Sequence, residues 1–150
     1  MSKKLKLKII TPEKLILEEM VDSVTVPTKQ GEITILPDHV PLISEMSSGE
    51  IVAMSDSESI PMAVVGGFVE IKKDQDNTVC AILADFAEHV VDITQDAIDK
   101  AKTRAEELRK QMENKEVVDF ERLTTELERS LTRVKIADKW KNRKYKNVKI

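Results

Sequence analysis

The sequence predicts an α+β chain: short β-strands over residues 1–90, then an antiparallel pair of helices over residues 91–150. Up to about residue 90, apolar and polar residues alternate in short runs, the period of a strand with one buried face. Beyond it the apolar spacing changes to steps of three and four, the period of a helix. Composition changes at the same place. Residues 1–90 hold 8 basic and 15 acidic residues, a net of −7; residues 91–150 hold 16 and 12, a net of +4. Every Gly and Pro precedes residue 68, and every Arg follows residue 91.

The strands follow in order. Leu5, Leu7 and Ile9 alternate with Lys4, Lys6 and Lys8 until Thr11-Pro12 ends the run. Val24 and Val26 alternate up to Pro27, and Lys29-Gln30-Gly31 turns the chain into Ile33 and Ile35. Leu36 to Leu42 reads as a loop bracketed by Pro37 and Pro41. Further strands are expected at Ile51–Met54, Ile60–Val65, Phe68–Lys72 and Val79–Leu83, the last two joined by a polar turn at Asp74-Gln75-Asp76-Asn77. Many short strands at such spacing predict a sandwich or a barrel.

In the second part Ile98, Ala101, Ala105, Leu108 and Met112 form one narrow seam, with Thr94 as N-cap and Asp96 in the first turn. Glu113-Asn114-Lys115-Glu116 breaks the pattern. Phe120, Leu123, Leu127, Leu131, Val134 and Ala137 then form a second seam. So short a break favours an antiparallel hairpin. Two thin stripes bury little area between them, so the hairpin is expected to be marginal alone and to dock on something or open. From Lys139 onward the chain is basic without an acid, and is expected to fray.

Several functional classes drop out. A hydrophobic content of 41% supports a core and excludes wholesale disorder. No apolar run approaches the roughly 18–20 residues that span a bilayer. Met1 to Lys8 has neither the apolar centre of a signal peptide nor the composition of a transit peptide, so a cytosolic chain, or one held at the cytosolic face of something by a partner, is expected. The single Cys80 excludes a disulfide framework and a Cys-based zinc site, and reads as an inert core thiol. His39 and His89 lie in different segments, and no HExxH, GxSxG, GxxxxGK[ST] or GxGxxG occurs. Gly66-Gly67 lacks a following helix and reads as a bulge or tight bend rather than a phosphate loop. Autonomous catalysis is not expected. The basic helices and tail leave a nucleic-acid or other free-standing interaction module as the alternative. Interleaved acids weaken that footprint, and Trp140 and Tyr145 are the only stacking candidates.

Four stretches carry a resemblance. Val24 to Leu42, VTVPTKQGEITILPDHVPL, resembles the "G-E-hydrophobic-G-I-hydrophobic-P-G/N-H-x-P-L" signature of the epsilon subunit of rotary, F-type ATP synthases. Val65 to Ile71 resembles that family's "GGFVEV". Ile82 to Glu88 resembles the "ILADxAE" strand before its linker, and Leu131 to Ala137 resembles the "A-x-R-L-K-V-A" of its last helix. The likeness covers about residues 3–138.

The resemblance implies a flattened antiparallel β-sandwich, residues 1–90, anchored on stalk and ring. An α-helical hairpin, residues 91–150, follows as a regulatory arm. It implies a non-catalytic central-stalk subunit that binds the gamma subunit and the c-ring and couples ion flow to ATP synthesis. The hairpin would extend to the catalytic alpha/beta head and inhibit ATP hydrolysis. The location implied is the cytoplasmic face of the inner membrane, peripheral and without nucleic acid. Glu32 matches the acid facing the c-ring loops, though it reads equally as a solvated turn residue. His39 matches the loop His near the gamma contact, or a His bonding its own turn. Pro37 and Pro41 rigidify that loop and lower the entropy lost on docking. Arg122, Arg129, Arg133 and Lys135 match the basic face that meets the head, or give ordinary helical ion pairs. Thr34 and Asp38 depart from the family's Gly and Gly/Asn; Asp38 tolerates turn geometry, whereas Thr34 does not tolerate positive φ, so a more regular strand is expected there. Some bacterial members bind ATP through I/L-D-x-x-R-A. Neither Ile93-Thr94 with Ala97-Ile98 nor Ile98-Asp99 with Lys102-Thr103 supplies both the acid and the Arg fork. Weak or no ATP binding is expected, and no cofactor. Asp99, Lys102, Arg104, Arg122 and Arg129 are the residues a nucleotide would use.

Overall fold

The computed structural model describes residues 3–113 and 120–145. Ten strands come first: β1 Leu5–Ile10, β2 Leu15–Val21, β3 Ser23–Thr28, β4 Gly31–Ile35, β5 Leu42–Glu45, β6 Gly49–Ser55, β7 Glu58–Val65, β8 Phe68–Asp74, β9 Asn77–Leu83 and β10 Phe86–His89. A 3-10 turn, Val90–Asp92, leads into α1, Gln95–Glu113, and α2, Phe120–Trp140.

Two five-stranded sheets stack face to face, in the orders β2-β1-β9-β8-β5 and β10-β7-β6-β3-β4. Their inner faces make the core. Leu5, Leu7 and Ile9 of β1 are fully buried, as are Val24, Val26 and Met62 from the opposite sheet. The sandwich is antiparallel, as expected, in every strand pair but one: β1 and β9 run parallel. A parallel pair requires a crossover, and here the chain visits the second sheet between the two strands.

Three strands were not legible as such. β2 pairs with β1 through an irregularity at Ile9/Ile10, which interrupts its alternation. β5 has four residues, and Leu42, expected in the loop, begins it. The run Ile82 to Glu88, expected as one strand, divides at Ala84-Asp85 into β9 and β10, which lie in different sheets. Gly66 and Gly67, at φ 64° and 103°, make the bend between β7 and β8. Thr34 lies in regular β4 opposite Thr25, their hydroxyls 3.0 Å apart.

Thr94 caps α1, its Oγ1 accepting from the Ala97 N–H at 3.1 Å. Ile98, Ala101, Ala105 and Leu108 are buried, as their spacing predicts. The segment that breaks the pattern after Glu113, and the side chain of Phe120, lie outside the described residues. On α2, Leu123 and Ala137 are buried, but Leu131 is 38% exposed. The helix instead has a second buried face. Ile136 and Trp140 pack on Ala63 and Val90, flanked by Val52, Ile93 and Tyr145. The hairpin is therefore docked on the outer face of the β6–β7 sheet. Of the tail expected to fray, Trp140 and Tyr145 are packed, Lys141 to Lys144 are exposed, and residues 146–150 lie outside the described residues.

Candidate functional site

Three surfaces carry the chemistry. The first is the loop after β4. Asp38 sits at φ 69°, and its backbone N–H donates to Thr78 Oγ1 at 2.7 Å. Its carboxylate takes Lys3 at 2.7 Å and Lys73 at 3.2 Å. Those two ammonium groups, Lys3 first, hold the Asp38 carboxyl below its usual range. The His39 N–H closes the turn on the Leu36 carbonyl at 3.1 Å. Its ring Nδ1 lies 2.7 Å from the Val40 carbonyl, which can only accept, so Nδ1 carries the proton. His39 thus bonds its own turn, between Pro37 and Pro41. Glu32 is exposed beside Gly31, at the far end of β4. The strand separates it from His39, and the structure does not bring the two together.

The second surface is the outer face of the other sheet. Register puts Leu15, Ile10, Leu83 and Phe68 side by side across β2, β1, β9 and β8. All point away from the core. Leu83 and Phe68 are each 53% exposed and Leu15 39%; Ile43, one pair along on β5, is 69% exposed. Sequence alone does not single out this row. The signal was present: Val79 to Leu83 is apolar on both faces, whereas a strand with one solvated face alternates.

The third is the docked hairpin. Arg133 forks onto Glu88 of β10, both N···O distances 2.7 Å, and the Arg129 guanidinium lies 5.1 Å over the Phe86 ring. Ser48 bonds Glu128, and Lys139 and Trp140 both bond Glu50. Of the expected basic face, then, Arg129 and Arg133 are engaged on the sandwich, while Arg122 and Lys135 are exposed. Arg129 also borders a cleft of about 510 Å³ against β2 and β10. Four of the side chains lining it, Glu13, Asp85, Glu88 and Asp92, are acidic. Trp140 is 6% exposed and Tyr145 packs against it, so in this conformation Trp140 does not offer its face to a base.

The five nucleotide candidates do not form one pocket. The Arg104 fork is taken by Glu126, at 2.6 and 3.1 Å, and by Glu107 at 3.3 Å. Arg104 in turn holds the Glu126 carboxyl below its usual range, with smaller help from Arg122 and Arg129. Asp99 accepts from Gln95 Nε2 at 3.0 Å and shares a shallow depression with Arg104; Arg122 and Arg129 line a second one, and Lys102 is exposed.

Elsewhere the titratable groups are structural. Cys80 is buried, and burial pushes its thiol to about 12. His89 is buried and donates Nε2–H to the Ile16 carbonyl at 3.1 Å, tying the two sheets together. Among the described residues no group of three or more His, Cys, Asp or Glu is placed to hold a metal, and no helix is long and apolar enough to cross a membrane.

Residues 4–90, the whole sandwich with its exposed row and the Glu32 and His39 loops, match the sequence model of the ATP synthase delta/epsilon chain, beta-sandwich domain. The chain belongs to the ATP synthase delta/epsilon family. It is 37% identical over 139 residues to the ATP synthase epsilon chain of Syntrophobacter fumaroxidans, covering 93% of this chain and 99% of that one. It is 40% identical over 136 residues to the epsilon chain of Nitratidesulfovibrio vulgaris strain DP4, covering 91% and 97%. A chain in the Euglena gracilis mitochondrial ATP synthase (OSCP/F1/c-ring, rotational state 1) shares the fold, with TM-score 0.69 and 20% identity over 87% of this chain and 79% of that chain. Epsilon chains are non-catalytic stalk subunits of the ATP synthase. This chain therefore takes part in ATP synthesis without carrying out the chemistry.

Proposed function

We propose that the chain is the central-stalk subunit that binds a gamma-type subunit and the c-ring through its sandwich. It couples ion translocation to ATP synthesis, and it inhibits ATP hydrolysis when its hairpin leaves the sandwich for the alpha/beta head. The observation that carries the reading is the exposed row Leu15, Ile10, Leu83 and Phe68, with Ile43 beside it. It lies on the sheet face that the hairpin leaves uncovered. An apolar ridge on a flat sheet is the anchor of a protein interface. Glu32 would meet the ring, and the loop holding Pro37, His39 and Pro41 would meet the stalk. That loop is already fixed by Asp38 and Thr78, so docking costs it little entropy. The complex would hold the chain at the cytoplasmic face of the membrane.

Inhibition follows from exchange of partners. Arg133 and Arg129 are held by Glu88 and Phe86 when the hairpin is down. Extension frees them, with Arg122 and Lys135, for carboxylates of the head, and the head shifts the equilibrium by its preference for the open form. Nucleotide would bind weakly or not at all, because Glu126 and Glu107 already occupy the Arg104 fork.

The test is co-purification with a gamma-type subunit and ring, plus head ATPase activity with the full chain and with residues 1–93. Partner binding by both chains and inhibition by the full chain alone support the reading. No partner binding, or equal ATPase activity with both chains, overturns it. Calorimetric titration with ATP giving micromolar affinity would refute the nucleotide part.

A further inference from the structure

We propose that Glu50 is a built-in latch for the end of α2, which holds the hairpin down without any ligand. β6 places Glu50 on the outward face beside Val52 and across from Ala63. Its side chain is 14% exposed, low for a carboxylate on the outside of a sheet. Two consecutive residues of the last helical turn converge on it. Lys139 bonds Oε1, and the Trp140 indole N–H donates to Oε2 at 2.8 Å. One residue thus supplies an ion pair and a charge-assisted hydrogen bond, both partly withdrawn from water, where such bonds are strongest.

The ring is also seated from above and below. It rests on Ala63, Val90 and Ile136. After the helix the chain turns back, with the Arg143 N–H on the Trp140 carbonyl at 3.2 Å. The Arg143 guanidinium then lies 5.6 Å over the indole, and Tyr145 meets it edge-on at 6.1 Å and 89°. Further along α2, the Arg133–Glu88 fork, the stacking of Arg129 and Arg133 on Phe86, and the bond of Ser48 with Glu128 also join the helix to the sandwich. Among the described residues the apolar dock buries four side chains, Ala63, Val90, Ile136 and Trp140. So small a dock is reversible, and Glu50 is the joint that fixes its C-terminal end, where two successive residues of α2 meet one carboxylate. The latch stands on geometry alone; its regulatory meaning rests on the inhibitory role proposed above.

Amide hydrogen exchange along α2, measured on the full chain, tests it, because the exchange rate follows the open population. Losing bonds to a charged group shifts the closed-to-open ratio about tenfold. Glu50→Ala should therefore speed exchange over the dock-facing turns of α2 about tenfold, with β-strand protection unchanged. Trp140→Phe, which keeps a ring and removes the donor, should speed it severalfold, and Glu50→Gln less than Glu50→Ala. The exposed Glu58→Ala is the control and should leave it unaltered. Trp140 is the only tryptophan, so Glu50→Ala should also red-shift its emission and ease its quenching by acrylamide. Wild-type exchange in both Glu50→Ala and Trp140→Phe overturns the latch. If Glu50→Ala loses strand protection, Trp140→Phe decides alone. No stalk partner is needed, so the latch and the stalk reading fail separately.

Discussion

At Gly67 the chain runs against its own backbone. A Cβ there would come within 2.8 Å of the Ala84 Cα and closer still to the Leu83 carbonyl oxygen, and φ is 103°. Gly67→Ala therefore combines a clash with a disfavoured dihedral, and should cost at least about 2 kcal/mol in urea unfolding of the sandwich. The Gly-Gly pair was legible as a bend. Its neighbour was not, because Leu83 approaches only once β8 and β9 have paired. The same holds for His39 and His89. Sequence marks each as a lone histidine, but only the folded chain sets the Val40 carbonyl beside one and the Ile16 carbonyl beside the other.

The hairpin is legible as an element and misread as a surface. Its seams follow from spacing, and Leu108 is fully buried between the helices. Leu108→Ala should cost about 3 kcal/mol. In so thin an interface that should melt the helices first, seen as lost helical ellipticity with an unchanged sandwich transition. The Arg104–Glu126 joint adds a pH dependence. The Arg104 guanidinium holds the folded carboxyl of Glu126 below the usual glutamate range. Its contribution is then fully present above the unfolded pKa and is lost as pH falls through the folded one. Acidification below about pH 4.5 should loosen α1 from α2, and Glu126→Gln should flatten that part of the helical pH profile. The pair is more than a third exposed, so the effect is screened and smaller in high salt. The second buried face of α2 escaped the sequence reading because Ile136 and Trp140 lie off the seam, and charged neighbours hide them.

Across the molecule the two outer sheet faces differ. One is covered by α2, and the other carries the bare apolar row. Phe68→Glu with Leu83→Glu changes side chains that water already reaches, so folding should shift by no more than about 0.5 kcal/mol per site. Binding to a gamma-type subunit should fall at least about tenfold, measured by titration calorimetry, if the row is the anchor. Unaltered binding would move the interface elsewhere on the sandwich.

The sequence by itself determined the order of the chain: strands, then helices, the change of period near residue 90, the capped start of α1, the lack of catalytic motifs and the family likeness. These are local properties, written in spacing, charge and turn residues. Tertiary structure alone decided which faces meet. It set β1 parallel to β9, divided Ile82 to Glu88 between two sheets, turned Arg133 onto Glu88, and drew Lys139 and Trp140 to Glu50. Each of these joins residues far apart in sequence. Periodicity fixes which side of an element is apolar, but not which distant side covers it.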